Sequence, residues 1–313
     1  MRKRFENLTM RHPSVDDAPA TLDLMIACDI AEYGEPDSSL EDLLHDWSLV
    51  ELNQDAWLIL TLDRQLIGYG AVFTDDDAYS FDFYTYPDYE DGKLQADLLA
   101  QCEARIYDDL AVDQGKGEGK TTSIISQVNT ANRHVLERAG YLPQKYYFRM
   151  QIDLEDMPTS AVWPADCALR PMVAKQDDAI VYNFIQAAFD QPGRTAPTFE
   201  RWRDFMMRPD HFERDLWFLL FHQQELIGAA LCYDYEEFGW VRQLGVAPKW
   251  RRKGVGSSLL QHSFQVFFQQ GHKSIALAVD SERPKAQSLY ENVGMTCVRR
   301  HDEYTKIMRA SAR

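Results

Sequence analysis

The 313-residue chain has no run of about 18 apolar residues, so no helix is expected to cross a membrane. Its start, MRKRFENLTM, is basic but has no apolar stretch behind it, and reads as no secretory signal. Cysteine pairing is missing too: Cys28, Cys102, Cys167, Cys232 and Cys297 are odd in number and form no C-x-x-C. Reduced thiols packed as small apolar residues, and a cytoplasmic location, are the expectation. Positive charge is scarce, with 33 Lys and Arg against 49 Asp and Glu and a net charge of −16. A broad basic face is therefore absent, and no nucleic-acid partner is expected. His262 and His272 have no ligand-spaced partners, so no metal site is expected. The acidic balance suits either attraction of cationic amines or plain solubility. What the chain does have is 45% hydrophobic residues and a length natural for two domains, enough for real cores.

The stretch from Trp240 to Gln270 is the most informative. Trp240 to Val246 reads as a strand that ends at Pro248. A basic, glycine-punctuated turn follows, with Lys249, Arg251, Arg252, Lys253, Gly254, Val255, Gly256 and Ser257. Leu259, Leu260, Phe264, Phe267 and Phe268 then recur at helical spacing, and Gly271 stands where a C-terminal cap belongs. A helix N-terminus presents unpaired N–H groups and a positive partial charge, which suits a phosphate. Gly254 and Gly256, lacking Cβ, would let such a ligand approach the backbone. The local pattern also fits an ordinary strand-to-helix turn with solvated charges. A dinucleotide fingerprint fits poorly, because Leu259 stands at its third glycine.

The turn Arg251-Arg252-Lys253-Gly254-Val255-Gly256, with the strand Leu244-Gly245-Val246-Ala247-Pro248 before it, resembles motif A of the GNAT acetyltransferase superfamily, [RQ]-x-x-G-x-[GA]. The resemblance implies that N–H groups of the turn hold the pyrophosphate of acetyl-CoA. It also implies that Leu244, Gly245 and Val246 line the pantetheine arm.

Compared with itself, the chain repeats. Met10-Arg11 through Asp16-Asp17-Ala18 returns as Leu169-Arg170 through Asp177-Asp178-Ala179. Trp57-Leu58-Ile59-Leu60 and Gln65-Leu66-Ile67-Gly68 return as Trp217-Phe218-Leu219-Leu220 and Glu225-Leu226-Ile227-Gly228. Pro87 matches Pro248, and Ala139-Gly140-Tyr141 matches Val293-Gly294-Met295. Each copy reads as strand, helices, two antiparallel strands, a third strand, a long helix, a strand, a helix and a closing strand. That order is similar to the GNAT fold twice over, an α/β (α+β) architecture. Each domain is then a central mixed, mostly antiparallel sheet flanked by helices. The domains are expected at 1–157 and 166–313, joined through Glu155 to Asp166. The tandem arrangement is similar to that of mycothiol synthase-like acetyltransferases.

The copies differ in their chemistry. Aligning Gly92 with Gly254 sets Tyr89, Glu90 and Asp91 against the basic turn, and Leu94 against Gly256. Two acids would repel a pyrophosphate, so the first copy reads as degenerate, with altered acyl-CoA binding as the alternative. Its stretch Gln114 to Thr122 ends in G-K-T, but the P-loop spacing fails at Gln114, and a mobile polar connection is expected. In the second copy, Arg283 through Met295 follows the family pattern N-x-x-A-x-x-[LS]-Y-x-x-x-G-[FM], with Arg283 replacing the usual Asn. Through that resemblance Tyr290 is the acid that protonates the CoA thiolate, and Arg283 a candidate for a CoA phosphate. From the residues alone Tyr290 is a core aromatic. Asp234, Glu236 and Glu237, before the motif strand, are candidate bases, and Glu237 is taken with Tyr290 as the catalytic set. They also read as a solvated acidic turn.

The expected function is acetyl transfer from acetyl-CoA, as cosubstrate, to an amine of a small molecule or peptide, by an N-acetyltransferase with one active site. A non-catalytic acyl-CoA-binding or regulatory protein is the alternative. The expected partner is a small-molecule amine, with the chain acting as a monomer or homodimer.

Overall fold

Two arginine–aspartate pairs open the two halves of the chain in the computed structural model, which describes residues 8–75, 78–89, 92–112, 117–190, 196–207, 211–235 and 237–309. Arg11 grips Asp17 through two hydrogen bonds of 2.8 and 2.6 Å, and Arg170 grips Asp177 through two of 2.6 and 2.8 Å. Each aspartate also accepts a backbone N–H, from Ser14 at 2.8 Å and from Val173 at 2.7 Å. The repeat seen in the sequence is thus a repeated physical clasp that ties a first strand to the first helix.

The elements follow in the expected order. The first copy has β1 (Thr9–Arg11), α1 (Ala18–Tyr33), α2 (Leu40–Ser48), α3 (Leu52–Asp55), β2 (Ala56–Leu60), β3 (Leu66–Asp75), β4 (Ala78–Thr85), α4 (Lys93–Val112), β5 (Glu118–Ser126), α5 (Thr130–Arg138) and β6 (Leu142–Asp153). The second has β7 (Cys167–Pro171), α6 (Asp178–Ala188), α7 (Phe199–Met206), β8 (Phe212–His222), β9 (Glu225–Asp234), β10 (Gly239–Val246), α8 (Val255–Gln270), β11 (Ser274–Asp280), α9 (Pro284–Asn292) and β12 (Thr296–Arg309).

By internal contacts the chain forms two units, one of residues 1–147 with 299–313 and one of residues 148–298. The boundary differs from 157/166 because each copy's closing strand is divided. Residues 142–147 of β6 belong to the first unit and 148–153 to the second, while β12 reaches the first unit from Arg299 onward. Both strands are longer than their apolar patterns suggest. The first unit's sheet runs β1-β2-β3-β4-β5-β12, and the second unit's runs β6-β11-β10-β9-β8-β7. β12 pairs antiparallel with β5 from His301↔Ser126 to Arg309↔Glu118. Each sheet buries both faces, with α4 or α8 over one and the earlier helices over the other.

One sequence expectation needs correction here. Glu118 to Thr122 lies within β5, so that part of the glycine-rich stretch is strand rather than a mobile connection. Gly119 is needed there because a Cβ would meet the Tyr79 ring at 2.7 Å; Gln114 to Lys116 lie outside the described residues. The segment Glu155 to Asp166 has no regular structure but is docked along α8. The Ser258 hydroxyl donates to Val162 O at 2.5 Å, and Gln265 Nε2 donates to Pro158 O at 3.2 Å.

The clasp makes stability depend on pH. Asp177 is 1% exposed, and the Arg170 guanidinium beside it holds its carboxyl below the usual range. A lowered folded-state pKa contributes stability that is full above the unfolded carboxyl's pKa, about 4. That contribution is lost as pH falls through the folded value. Arg170 is 36% exposed, so solvent screens the pair. Asp177→Ala is expected to lose on the order of 1.5 kcal/mol at pH 7. In urea titrations the gap between variant and parent should narrow as pH falls below about 4. A constant gap would assign the loss to packing alone.

Candidate functional site

In the second unit the parallel strands β10 and β11 are paired at Gly239↔Ile275 and Trp240↔Ala276 and part beyond that point. A bulge in the pairing of β10 with β9, between Val241 and Gln243, marks the place. After the bulge the ladder runs Gln243↔Leu231, Leu244↔Ala230, Gly245↔Ala229 and Val246↔Gly228. Ala247 N–H bonds Ile227 O at 2.9 Å, which fixes the phase of the alternation. Residues 243, 245 and 247 spend their backbone groups on β9, so Leu244 and Val246 turn theirs to the open edge. The parting of the strands therefore exposes two N–H donors in a row.

At the end of that edge the chain enters the basic turn. Arg252 and Gly254 both have left-handed backbone, with φ of 62° and 82°. Gly254 is the N-cap of α8 and provides no side-chain cap. The first helical bond in that turn is Ser258 N–H to Gly254 O at 2.9 Å, which leaves the N–H groups of Val255, Gly256 and Ser257 free of intrahelical partners. Arg252 and Lys253 are exposed beside them. This is an uncapped helix terminus whose free N–H groups suit an anion, held in shape by two tight backbone positions. The corresponding end of α4 differs, because the Gly92 N–H donates to Gln95 Oε1 at 3.1 Å and Leu94 is buried in the core. Glu90 and Asp91 lie outside the described residues.

Several candidate residues also make contacts within the fold. Arg251 donates to Val246 O at 3.1 Å and to Ala188 O at 3.2 Å, so it braces the turn against the end of α6. A Cβ on Gly245 would meet Phe184 at 3.0 Å and Ala188 and Ile185 at 3.2 Å, so this glycine admits α6. Gly254 has open space around its missing Cβ and is required by its φ. A Cβ on Gly256 would stand 3.0 Å from Leu289 Cδ2 and 3.7 Å from Val246 Cγ2, so the glycine brings α9 against the start of α8. Lys253 Nζ lies 4.9 Å from the Trp250 ring centroid, and Arg283 lies 4.7 Å from that of Phe189.

Tyr290 is 9% exposed, on α9, in the same apolar cluster as Leu244, Val246 and Leu289. Burial pushes its phenol up to about 12, and the Arg283 charge acts in the opposite direction. The hydroxyl keeps its proton at neutral pH, and no described residue bonds to it. Glu237 is set apart from this group. It is exposed in the turn between Tyr235 and Phe238, before the paired end of β10. At about 3.3 Å per residue, the seven steps from Gly239 to Val246 put it more than ~20 Å from the phosphate turn. Asp234, at the same end, is 2.7 Å from His272 Nε2; Glu236 lies outside the described residues.

Sequence reasoning missed Gly228 and Gln243. A Cβ on Gly228 would meet Val255 and Leu259 at 2.9 Å, so this residue lets α8 settle onto β9. A glycine inside an apolar strand was the available signal. Gln243, whose Oε1 is buried without a partner, follows the bulge and had no local signal.

Residues 179–295 match the Acetyltransferase (GNAT) family. A mycothiol acetyltransferase of Streptomyces scabiei is 26% identical over 169 residues, and one of Renibacterium salmoninarum is 27% identical over 158. The chain spans about half the length of these relatives, 55% and 45% respectively, using 53% and 47% of its own. A GCN5-related N-acetyltransferase from Sphaerobacter thermophilus is 29% identical, with a TM-score of 0.84 and 96% of both chains covered. A tandem GNAT protein from the clavulanic acid biosynthesis pathway shares the fold at 11% identity, with a TM-score of 0.71 over 98% of this chain and all of its own. The chain therefore has the tandem GNAT fold, and its residues 179–295 match the model of the Acetyltransferase (GNAT) family.

Proposed function

We propose that the second unit transfers an acetyl group from acetyl-CoA to the amine of a small molecule by direct attack. The observation that carries this reading is the junction of an open β10 edge with an uncapped α8 N-terminus. The N–H groups of Val255, Gly256 and Ser257 take the pyrophosphate, with Arg252 and Lys253 adding charge. The Leu244 and Val246 N–H groups bind the pantetheine arm and polarise the acyl carbonyl. The amine nitrogen attacks that carbon, the carbon–sulfur bond breaks, and Tyr290 gives its proton to the sulfur. The amine's proton leaves to solvent, and Tyr290 regains a proton from solvent before the next turnover. Arg251, braced on two carbonyls, keeps the turn in place without touching the cosubstrate.

Release of CoA by the purified protein, followed across a panel of small amines, tests the activity. Mycothiol-related amines belong in that panel because of the relatives' name. No acetyl-CoA-dependent CoA release above hydrolysis with any amine, while acetyl-CoA still binds, would turn the reading toward a binding module. Titration calorimetry with acetyl-CoA is expected to give one tight site per chain, since the α4 terminus is occupied by Gln95. Two sites of similar affinity would overturn that assignment.

A further inference from the structure

Beside the open edge of β10 stands a polar atom with nothing to bond. Gln243 Oε1 is buried and has no hydrogen-bond partner among the described residues. Buried acceptors are nearly always paired, so an orphan next to a binding edge points to a donor that arrives with a ligand.

Strand register fixes the side of the sheet on which this amide stands. Gln243 faces Leu231 and Gly245 faces Ala229 across the ladder of β9 and β10. Facing residues of an antiparallel pair share a side. Leu231 and Ala229 pack with Ile185 of α6 and Trp202 of α7. Gly245 agrees, since a Cβ there would point at Phe184 of α6, 3.0 Å away. Tyr290 lies in the cluster on the opposite side, with Leu259 and Leu260 of α8. The bulge is what separates the two. Val241 faces Cys232, and both belong to the α8-side cluster. In an unbroken strand residue 243 would share the side of residue 241; the extra residue at the bulge turns Gln243 to the α6 and α7 side.

The chemistry calls for a group in that place. The acetyl carbonyl oxygen sits at the Leu244 and Val246 N–H groups, and the sulfur takes its proton from Tyr290 on the α8 side. The α6 and α7 side is left for the amine. An attacking amine is neutral, and its lone pair has to aim at the carbonyl carbon. An oxygen that accepts one of its N–H bonds fixes that aim. An amide oxygen suits the task, because it accepts a hydrogen bond and carries no charge. A primary amine has two N–H bonds. One proton is lost to solvent after attack, and the other N–H stays on Gln243 through to the product amide. On the acetyl-transfer reading of this site, we propose that Gln243 binds the acceptor: its Oε1 receives an N–H of a primary amine that enters from the α6 and α7 side, and orients it toward the thioester.

Two stable CoA thioethers test the contact whatever amine the protein uses. Carboxamidomethyl-CoA carries a primary amide one methylene from the sulfur, and so places an N–H beside the carbonyl. Acetonyl-CoA is the matching ketone, with a methyl group there. In calorimetric titrations of the full chain, the parent is expected to bind the amide about 10-fold more tightly than the ketone. Gln243→Met keeps the length of the side chain and loses the acceptor. It is expected to bind the two thioethers equally, with acetyl-CoA affinity unchanged. Without ligand it should melt at or above the parent, because it removes a buried acceptor that has no partner. Gln243→Leu is the second variant, with the same outcome expected. Equal affinity of the parent for the two thioethers, or a preference for the amide that persists in Gln243→Met, would overturn the assignment. So would a melting temperature well below the parent in both variants, which would mean that the oxygen serves the fold. All three results leave acetyl-CoA binding by the parent intact. A parent that fails to bind acetyl-CoA would overturn the acetyltransferase reading, and this assignment with it, so the two failures are told apart.

Discussion

Tyr290→Phe is expected to lower kcat by about 10²- to 10⁴-fold, the usual worth of a positioned general acid. It should leave acetyl-CoA affinity and melting temperature nearly unchanged. The exchange removes one hydroxyl and keeps the ring in the cluster with Leu244, Val246 and Leu289. No described residue bonds to that hydroxyl, so its loss strands no buried partner and folding has little to lose. The reaction has more to lose. Burial keeps the phenol protonated, and in the proposed reaction a thiolate formed beside it in an apolar surround would have few other proton sources. Initial rates of CoA release, with calorimetry and thermal melting on the same samples, decide the matter. A variant turning over at the parent rate would make Tyr290 a core aromatic only. A fall in kcat that tracks a fall in melting temperature would assign the effect to packing.

Gly256→Val is expected to have a large effect on both binding and turnover. A first Cβ already stands 3.0 Å from Leu289 Cδ2, and valine adds two methyl groups with Val246 on the other side. Overpacking of this kind typically costs about 1–3 kcal/mol. The displaced residue precedes Tyr290, so α9 has to move the proposed acid along with it. Acetyl-CoA affinity should fall by about 10-fold or more, equivalent to ~1.4 kcal/mol of lost contacts at the turn, and kcat should fall with it. Gly254→Ala makes a useful contrast. Its Cβ has open space, but φ of 82° strains any L-residue by about 1–2 kcal/mol. That variant should lose stability and affinity with a smaller loss of kcat, because α9 is not displaced. Calorimetric titration of folded Gly256→Val showing parent affinity would sink the assignment of the turn.

What was readable in the chain was local or repeated. The spacing of Leu259, Leu260, Phe264 and Phe267 sets α8, and Gly271 with φ of 102° ends it. The glycines of the turn stand where a left-handed or crowded backbone requires them. The two Arg–Asp clasps were visible as a repeat because the same short-range contact was built twice. What only the tertiary structure decided was long-range and aperiodic. β10 and β11 are far apart in sequence, and nothing in their alternation says that they pair for two residues and then part. That parting gives Leu244 and Val246 open N–H groups, places Glu237 at the paired end, and makes Gly245 a seat for α6. Likewise the apolar pattern of a closing strand reports which face is buried. It does not report against which unit, so the division of β6 and β12 was invisible to it. Periodicity records a residue's side of its own element, while a site depends on which elements diverge, and that is fixed only when distant strands meet.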